Sequence, residues 1–97
     1  MQWTRQGLNF VCDPGKRLAN AQKHAIDLIR ASEVFFDPFA ISFFDDKHSG
    51  QEDRYSIIGK MENEKLAYVV YALRGEAVRL ISARKATSRE TYEYAKQ

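Results

Sequence analysis

Two runs near the C-terminal end leave the chain little conformational choice: Leu66 to Leu73, LAYVVYAL, and Ala77 to Ala83, AVRLISA, separated only by Arg74-Gly75-Glu76. Both are rich in β-branched and aromatic side chains, which suit a pleated, half-buried surface. A three-residue link with glycine at its centre reverses the chain, so the pair reads as an antiparallel hairpin. Upstream, Ala40 to Phe44 and Arg54 to Gly59, AISFF and RYSIIG, have the same strand character. Short links between these runs favour one antiparallel sheet.

Helix signals flank the strands. A short apolar run, Leu8 to Cys12, stops at Asp13-Pro14, where Asp suits an N-cap and Pro the first helical position. In the helix that follows, Leu18, Ala21, Ala25 and Leu28 or Ile29 recur at three- and four-residue spacing. That spacing predicts a packed face, with Lys16, Arg17, Asn20, Lys23 and His24 mostly elsewhere. Asp27 predicts a second short helix through Ala31, Val34 and Phe35, which Pro38 ends. Thr87 with Glu90 three residues later is a capping-box pattern opening a C-terminal helix. The expected architecture is α+β: one domain over residues 1–97, with a small antiparallel sheet, two N-terminal helices and one C-terminal helix.

Composition narrows the function classes. Fifteen Lys and Arg against 13 Asp and Glu leave a formal net charge of +2, so any electrostatic case rests on where charges cluster. The single Cys12 excludes an internal disulfide framework and reads as a small buried hydrophobe. No apolar run approaches the roughly 20 residues that a membrane helix requires, and the opening MQWTRQGLNF lacks a signal-peptide pattern. A cytoplasmic location without membrane contact is expected.

Chemistry concentrates in Asp45 to Arg54, DDKHSGQEDR. The segment lacks the alternating acidic ligands and terminal Glu of a calcium loop, and a zinc site would want more His or Cys, so no metal is expected. His48 and Glu52 suit acid–base work on one substrate; the same composition also suits a solvated loop. A second constellation is basic and strand-borne: Arg54, Arg74, Arg79 and Arg84, interleaved with Tyr55, Tyr68 and Tyr71. Guanidinium forks match phosphate oxygens, although salt bridges to Glu52, Asp53 or Glu76 are the plain alternative. On a straight strand Arg79 shares a face with Ile81 and Ala83, and Arg84 shares one with Leu80 and Ser82. The two arginines are therefore expected on opposite faces. Lys23 and His24 complement the dipole at the end of the first helix and also suit a phosphate-binding surface.

Six ordered segments resemble the BrnT family of toxins from bacterial type II toxin–antitoxin systems. They are Asn9 to Lys16, Asn20 to His24, Val34 to Pro38, His48 to Arg54 (an HS-x-x-E-x-R pattern), Ile58-Gly59 and Leu80 to Ala86, which contains ISAR. Two departures stand out: Cys12 replaces an aromatic residue before Asp13, and Ala25 replaces a glycine after Lys23-His24. Residues 1–7 begin earlier than is usual for the family and are expected to be a start-site extension or a mobile tail.

The resemblance implies a RelE-like ribonuclease fold and an endoribonuclease that cleaves RNA and arrests translation. It also implies neutralisation by a BrnA-type ribbon-helix-helix antitoxin, through which alone operator DNA would be contacted. The expected catalytic set is His48, Glu52, Arg54, Arg79 and Arg84. Lys23, His24, Arg74 and Lys85 are the expected RNA contacts, and no cofactor is expected. The rival expectation is an inactive homologue that binds the antitoxin as a co-repressor.

Overall fold

A computed structural model describes residues 1–50 and 52–97. The hairpin forms as its composition predicts, with β5 (Leu66–Arg74) and β6 (Ala77–Lys85) antiparallel and Gly75 taking a positive φ of 60° at the reversal. Around it stand β4 (Arg54–Lys60) and β3 (Ile41–Asp45) on one side, and β2 (Leu8–Val11) and β1 (Gln2–Arg5) on the other. The sheet has six strands in the order β1-β2-β6-β5-β4-β3.

Two expectations about this sheet are overturned. It is mixed, because β2 runs parallel to β6, pairing Asn9, Phe10 and Val11 with Ala77, Val78 and Arg79. The connection from β2 to β6 runs through the helices and β3 to β5, which provides the long crossover that a parallel pairing requires. Residues 1–7 are not a mobile tail, since Gln2 to Arg5 pair with β2 and Trp3 stacks on Phe10 at 5.5 Å between ring centroids. Trp3 also donates its indole N–H to Ser32 Oγ at 3.2 Å, which satisfies the polar end of a half-buried ring.

Helix α1 (Pro14–His24) is capped by Asp13, whose carboxylate accepts from Lys16 N at 2.9 Å. Asp27 caps α2 (Leu28–Ala31), a single α-helical turn that tightens into a 3₁₀ helix over Ser32–Phe36. These three segments cover one sheet face and enclose the core of Phe10, Leu28, Val34, Val69, Tyr71 and Leu80. Helix α3 (Ser88–Ala95) starts at the reciprocal Thr87–Glu90 capping box and packs on β4 at the opposite face. Asp37 ties it down, accepting from Tyr94 Oη at 2.7 Å and from the Lys60 amide at 2.7 Å. Burial and then this hydrogen bond push the Tyr94 hydroxyl up to about 12.

The face α1 buries is not the one its periodicity predicts. Leu18 is 62% exposed, and Ala21 and Ala25 also face solvent; Asn20 is the residue buried. Among the described residues no strand flanks β6 beyond Arg79 on this side, which leaves the Ala83 backbone facing outward. The Asn20 amide donates to Ala83 O at 2.9 Å and its oxygen accepts from Ala83 N at 2.9 Å, so a side chain does the work of the missing strand.

Two backbone positions have consequences for stability. Ala25 ends α1 with φ 58°, a left-handed conformation that costs a residue with a Cβ about 1–2 kcal/mol. Ala25→Gly is expected to raise stability by about 1 kcal/mol in urea denaturation. At Gly59 a Cβ would lie 2.9 Å from Val34 Cβ and 3.0 Å from Val34 O, because the 3₁₀ helix crosses β4 there. Gly59→Ala is expected to lower stability by about 1–3 kcal/mol in the same measurement.

Candidate active site

Strand pairing decides which arginines meet. Residues directly opposite each other share a sheet face. Val70 pairs with Ser82 but Tyr71 pairs with Leu80, so Ile81 is an extra residue in β6, a β-bulge. The bulge shifts the alternation by one position. Leu80 and Ala83 then both face the core with Tyr71 and Val69, while Arg79 and Arg84 both face the other side with Ala72 and Tyr68. The expectation that the two arginines lie on opposite faces is therefore overturned.

On that second face one row crosses the sheet: Asp45 pairs with Arg54, Arg54 with Ala72, and Ala72 with Arg79. Arg74, two residues further along β5, joins the same face. The β3–β4 loop hangs over this row; Gln51 of its motif lies outside the described residues. The Ser49 hydroxyl clips the loop, donating to Asp45 O and accepting from Arg54 N at 2.9 Å. Ser49 is thus a backbone fastener rather than a nucleophile.

The loop and the strand row enclose a cleft of about 660 Å³ lined by His48, Gly50, Glu52, Arg54 and Arg74. Glu52 forms an ion pair with Arg79 beneath it. The Arg79 side chain is only 15% exposed, and its Nε is buried with no partner among the described residues. Arg54 and Arg74 have no carboxylate within ion-pair distance among the described residues, which leaves their guanidinium groups available to an anion.

The cleft thus unites His48, Glu52, Arg54 and Arg74, with Arg79 joined to it through its ion pair with Glu52. It does not include the other four expected residues. Arg84 lies four paired positions from Arg79, about 13 Å along the strand. It is turned toward α3, donating to Glu90 at 2.8 and 2.9 Å and stacking over Tyr68 at 4.2 Å. Lys85 pairs with Ala67, five residues from Ala72, and so sits about 17 Å from the cleft row and on the helix-covered face. His24 and Lys85 instead line a separate cavity of about 530 Å³ with Arg30, Met61 and Lys65. Lys23 is exposed beside it on α1. Among the described residues no three His, Cys, Asp or Glu side chains converge as a metal site would need, and no helix is long and apolar enough to cross a membrane. Cys12 is buried in the core, and burial pushes its thiol up.

Residues 12–90, which hold every residue of the cleft, match the family described as the ribonuclease toxin, BrnT, of type II toxin-antitoxin systems. The chain belongs to that BrnT family. Its fold is similar to that of the Brucella abortus ribonuclease toxin BrnT in a crystal structure: TM-score 0.64 and 24% identity, covering 81% of this chain and 96% of that one. No curated protein matches. Relative to the family match, β1 and β2 lie N-terminal of the matched residues, and the cleft is built on β3 to β6 within them.

The tie between Arg84 and Glu90 makes a pH prediction. Burial alone would raise the Glu90 carboxyl, but the Arg84 guanidinium and the Thr87 amide together outweigh it and hold the group below its usual value. A depressed carboxyl contributes stability above its unfolded value of about 4.3 and loses it as pH falls through the folded value. Glu90→Gln is therefore expected to flatten the decline of stability with acidification below about pH 4, measured by thermal denaturation across pH.

Proposed function

We propose that this BrnT family member is an endoribonuclease whose chemistry takes place in the cleft over the Arg54–Ala72–Arg79 row. The observation that carries the reading is a cleft within the family-matched residues lined by His48, Glu52, Arg54 and Arg74, with Arg79 paired to Glu52.

The reaction the cleft suits is transesterification without a metal. The ribose 2′-oxygen attacks the adjacent phosphorus, the bond from phosphorus to the 5′-oxygen breaks, and a 2′,3′-cyclic phosphate and a 5′-hydroxyl result. Charge builds on the two non-bridging oxygens. Arg54 and Arg74 meet it from the sheet face, and Arg79 is held by Glu52. His48 and Glu52 are the proton-transfer candidates. Arg84 contributes by anchoring α3 rather than by touching RNA. Lys23, His24 and Lys85 lie too far away to contact the same phosphate, and act on RNA only as a distal backbone surface.

In the cell the product of this activity is translational arrest in the cytoplasm. The fold is read as RelE-like, and a BrnA-type ribbon-helix-helix antitoxin holds the toxin inactive and supplies the contact with operator DNA. The test is purified protein incubated with RNA, with and without chelator, followed by analysis of the cut ends. Expected are cyclic-phosphate ends, no loss with chelator, and a fall of about 10²- to 10⁴-fold for His48→Ala. No cleavage by the unmodified protein would favour the inert co-repressor, and full activity of His48→Ala would move the chemistry out of this cleft.

A further inference from the structure

Asp45 ends β3 directly opposite Arg54, with its side chain 17% exposed. Its carboxylate accepts twice from one residue. Oδ1 takes the backbone N–H of His48 at 3.2 Å, and Oδ2 lies 3.0 Å from His48 Nδ1. A carboxylate has no proton to offer, so the ring must carry its hydrogen on Nδ1 to make this bond. In the neutral ring that leaves the lone pair on Nε2, the atom furthest from Asp45, on a side chain that is 66% exposed. Nε2 has no partner among the described residues.

The other proton-transfer candidate is in a different state. Glu52 is held in an ion pair with the Arg79 guanidinium, so its carboxylate is already engaged by a cation. Ser49 fixes the loop at both ends, through Asp45 O and Arg54 N, so the ring stands at a set place relative to Arg54.

We infer that Asp45 and His48 form a dyad in which Asp45 is a positioning residue and His48 Nε2 is the general base, while Glu52 positions Arg79. This rests on the cleft reading above. His48 Nε2 takes the proton of the 2′-hydroxyl as the 2′-oxygen bonds to phosphorus. The 5′-oxygen leaves and takes a proton from solvent water. The imidazolium, stabilised by Asp45, then returns its proton to solvent, so charge and protons balance over the turnover.

The experiment combines kinetics on a short RNA oligonucleotide with ¹⁵N NMR of the His48 ring in the full chain. The unmodified protein is expected to show the Nδ1–H tautomer. Asp45→Asn keeps an acceptor for the His48 backbone N–H but loses the charge. It is expected to lower kcat roughly 10- to 100-fold, with KM within about twofold, and to populate the Nε2–H tautomer. Glu52→Gln is expected to raise KM more than it lowers kcat. Full activity of His48→Ala defeats the cleft reading itself. An inactive His48→Ala with an unimpaired Asp45→Asn defeats only the dyad, as does an Nε2–H tautomer in the unmodified protein, whose spectrum needs no variant to fold. Loss of kcat in Glu52→Gln as deep as in His48→Ala would make Glu52 the base.

Discussion

One extra residue in β6 decides which side chains beyond Leu80 reach the core and which reach the opposite face. Without the bulge at Ile81, the strand alternation that turns Leu80 inward would turn Ala83 outward and carry Arg84 to the core side. With it, both small and large apolar residues of β6 reach the core, and both arginines reach the opposite face. A bulge re-aims side chains at modest cost, and here it turns Arg84 onto the face where Arg79 already lies in line with Arg54 across the single small residue Ala72. The small central residue leaves room for two guanidinium groups over one strand.

The two faces of the sheet then divide the work. One is closed by α1, α2 and the 3₁₀ helix over a row of rings, Trp3, Phe10, Phe35, Tyr71, Tyr55 and Phe44, each 5.0–5.6 Å from the next. That row spans all the strands except β6 and gives the sheet a rigid back. The other face is closed only at the α3 end, where Arg84 is committed to Glu90 and Ile58 is buried. The end near Arg54 and Arg79 is left to the β3–β4 loop. Rigid strands carry the cations and a clipped loop carries the histidine, an arrangement suited to positioning a phosphate between them.

Much of this is legible in the residues. The β-branched runs locate β3 to β6 within a residue or two, and Asp13-Pro14, Asp27 and the Thr87–Glu90 pair mark where the three α-helices begin. What escapes depends on long-range partners. Gln2 to Arg5 has too little apolar character to announce a strand, and its place comes from pairing with β2. The parallel union of β2 with β6 joins segments about 68 residues apart by register, which no local pattern reveals. Leu18 and Ala21 follow helical periodicity, yet Asn20 wins the buried position because Ala83 needs both its backbone groups satisfied. In the cleft, His48, Glu52, Arg54, Arg74 and Arg79 are all readable as candidates. Asp45 reads only as one acid among several until its two contacts with His48 are seen.

The central claim is that the strand row across Ala72 brings Arg54 and Arg79 to bear on one phosphate. A double-mutant cycle on single-turnover RNA cleavage, with Arg54→Ala, Arg79→Ala and the pair, measures it directly. Coupling above about 1 kcal/mol is the result predicted for two groups serving one charge. Losses that add to within about 0.5 kcal/mol would show that the two arginines act independently and would contradict the account.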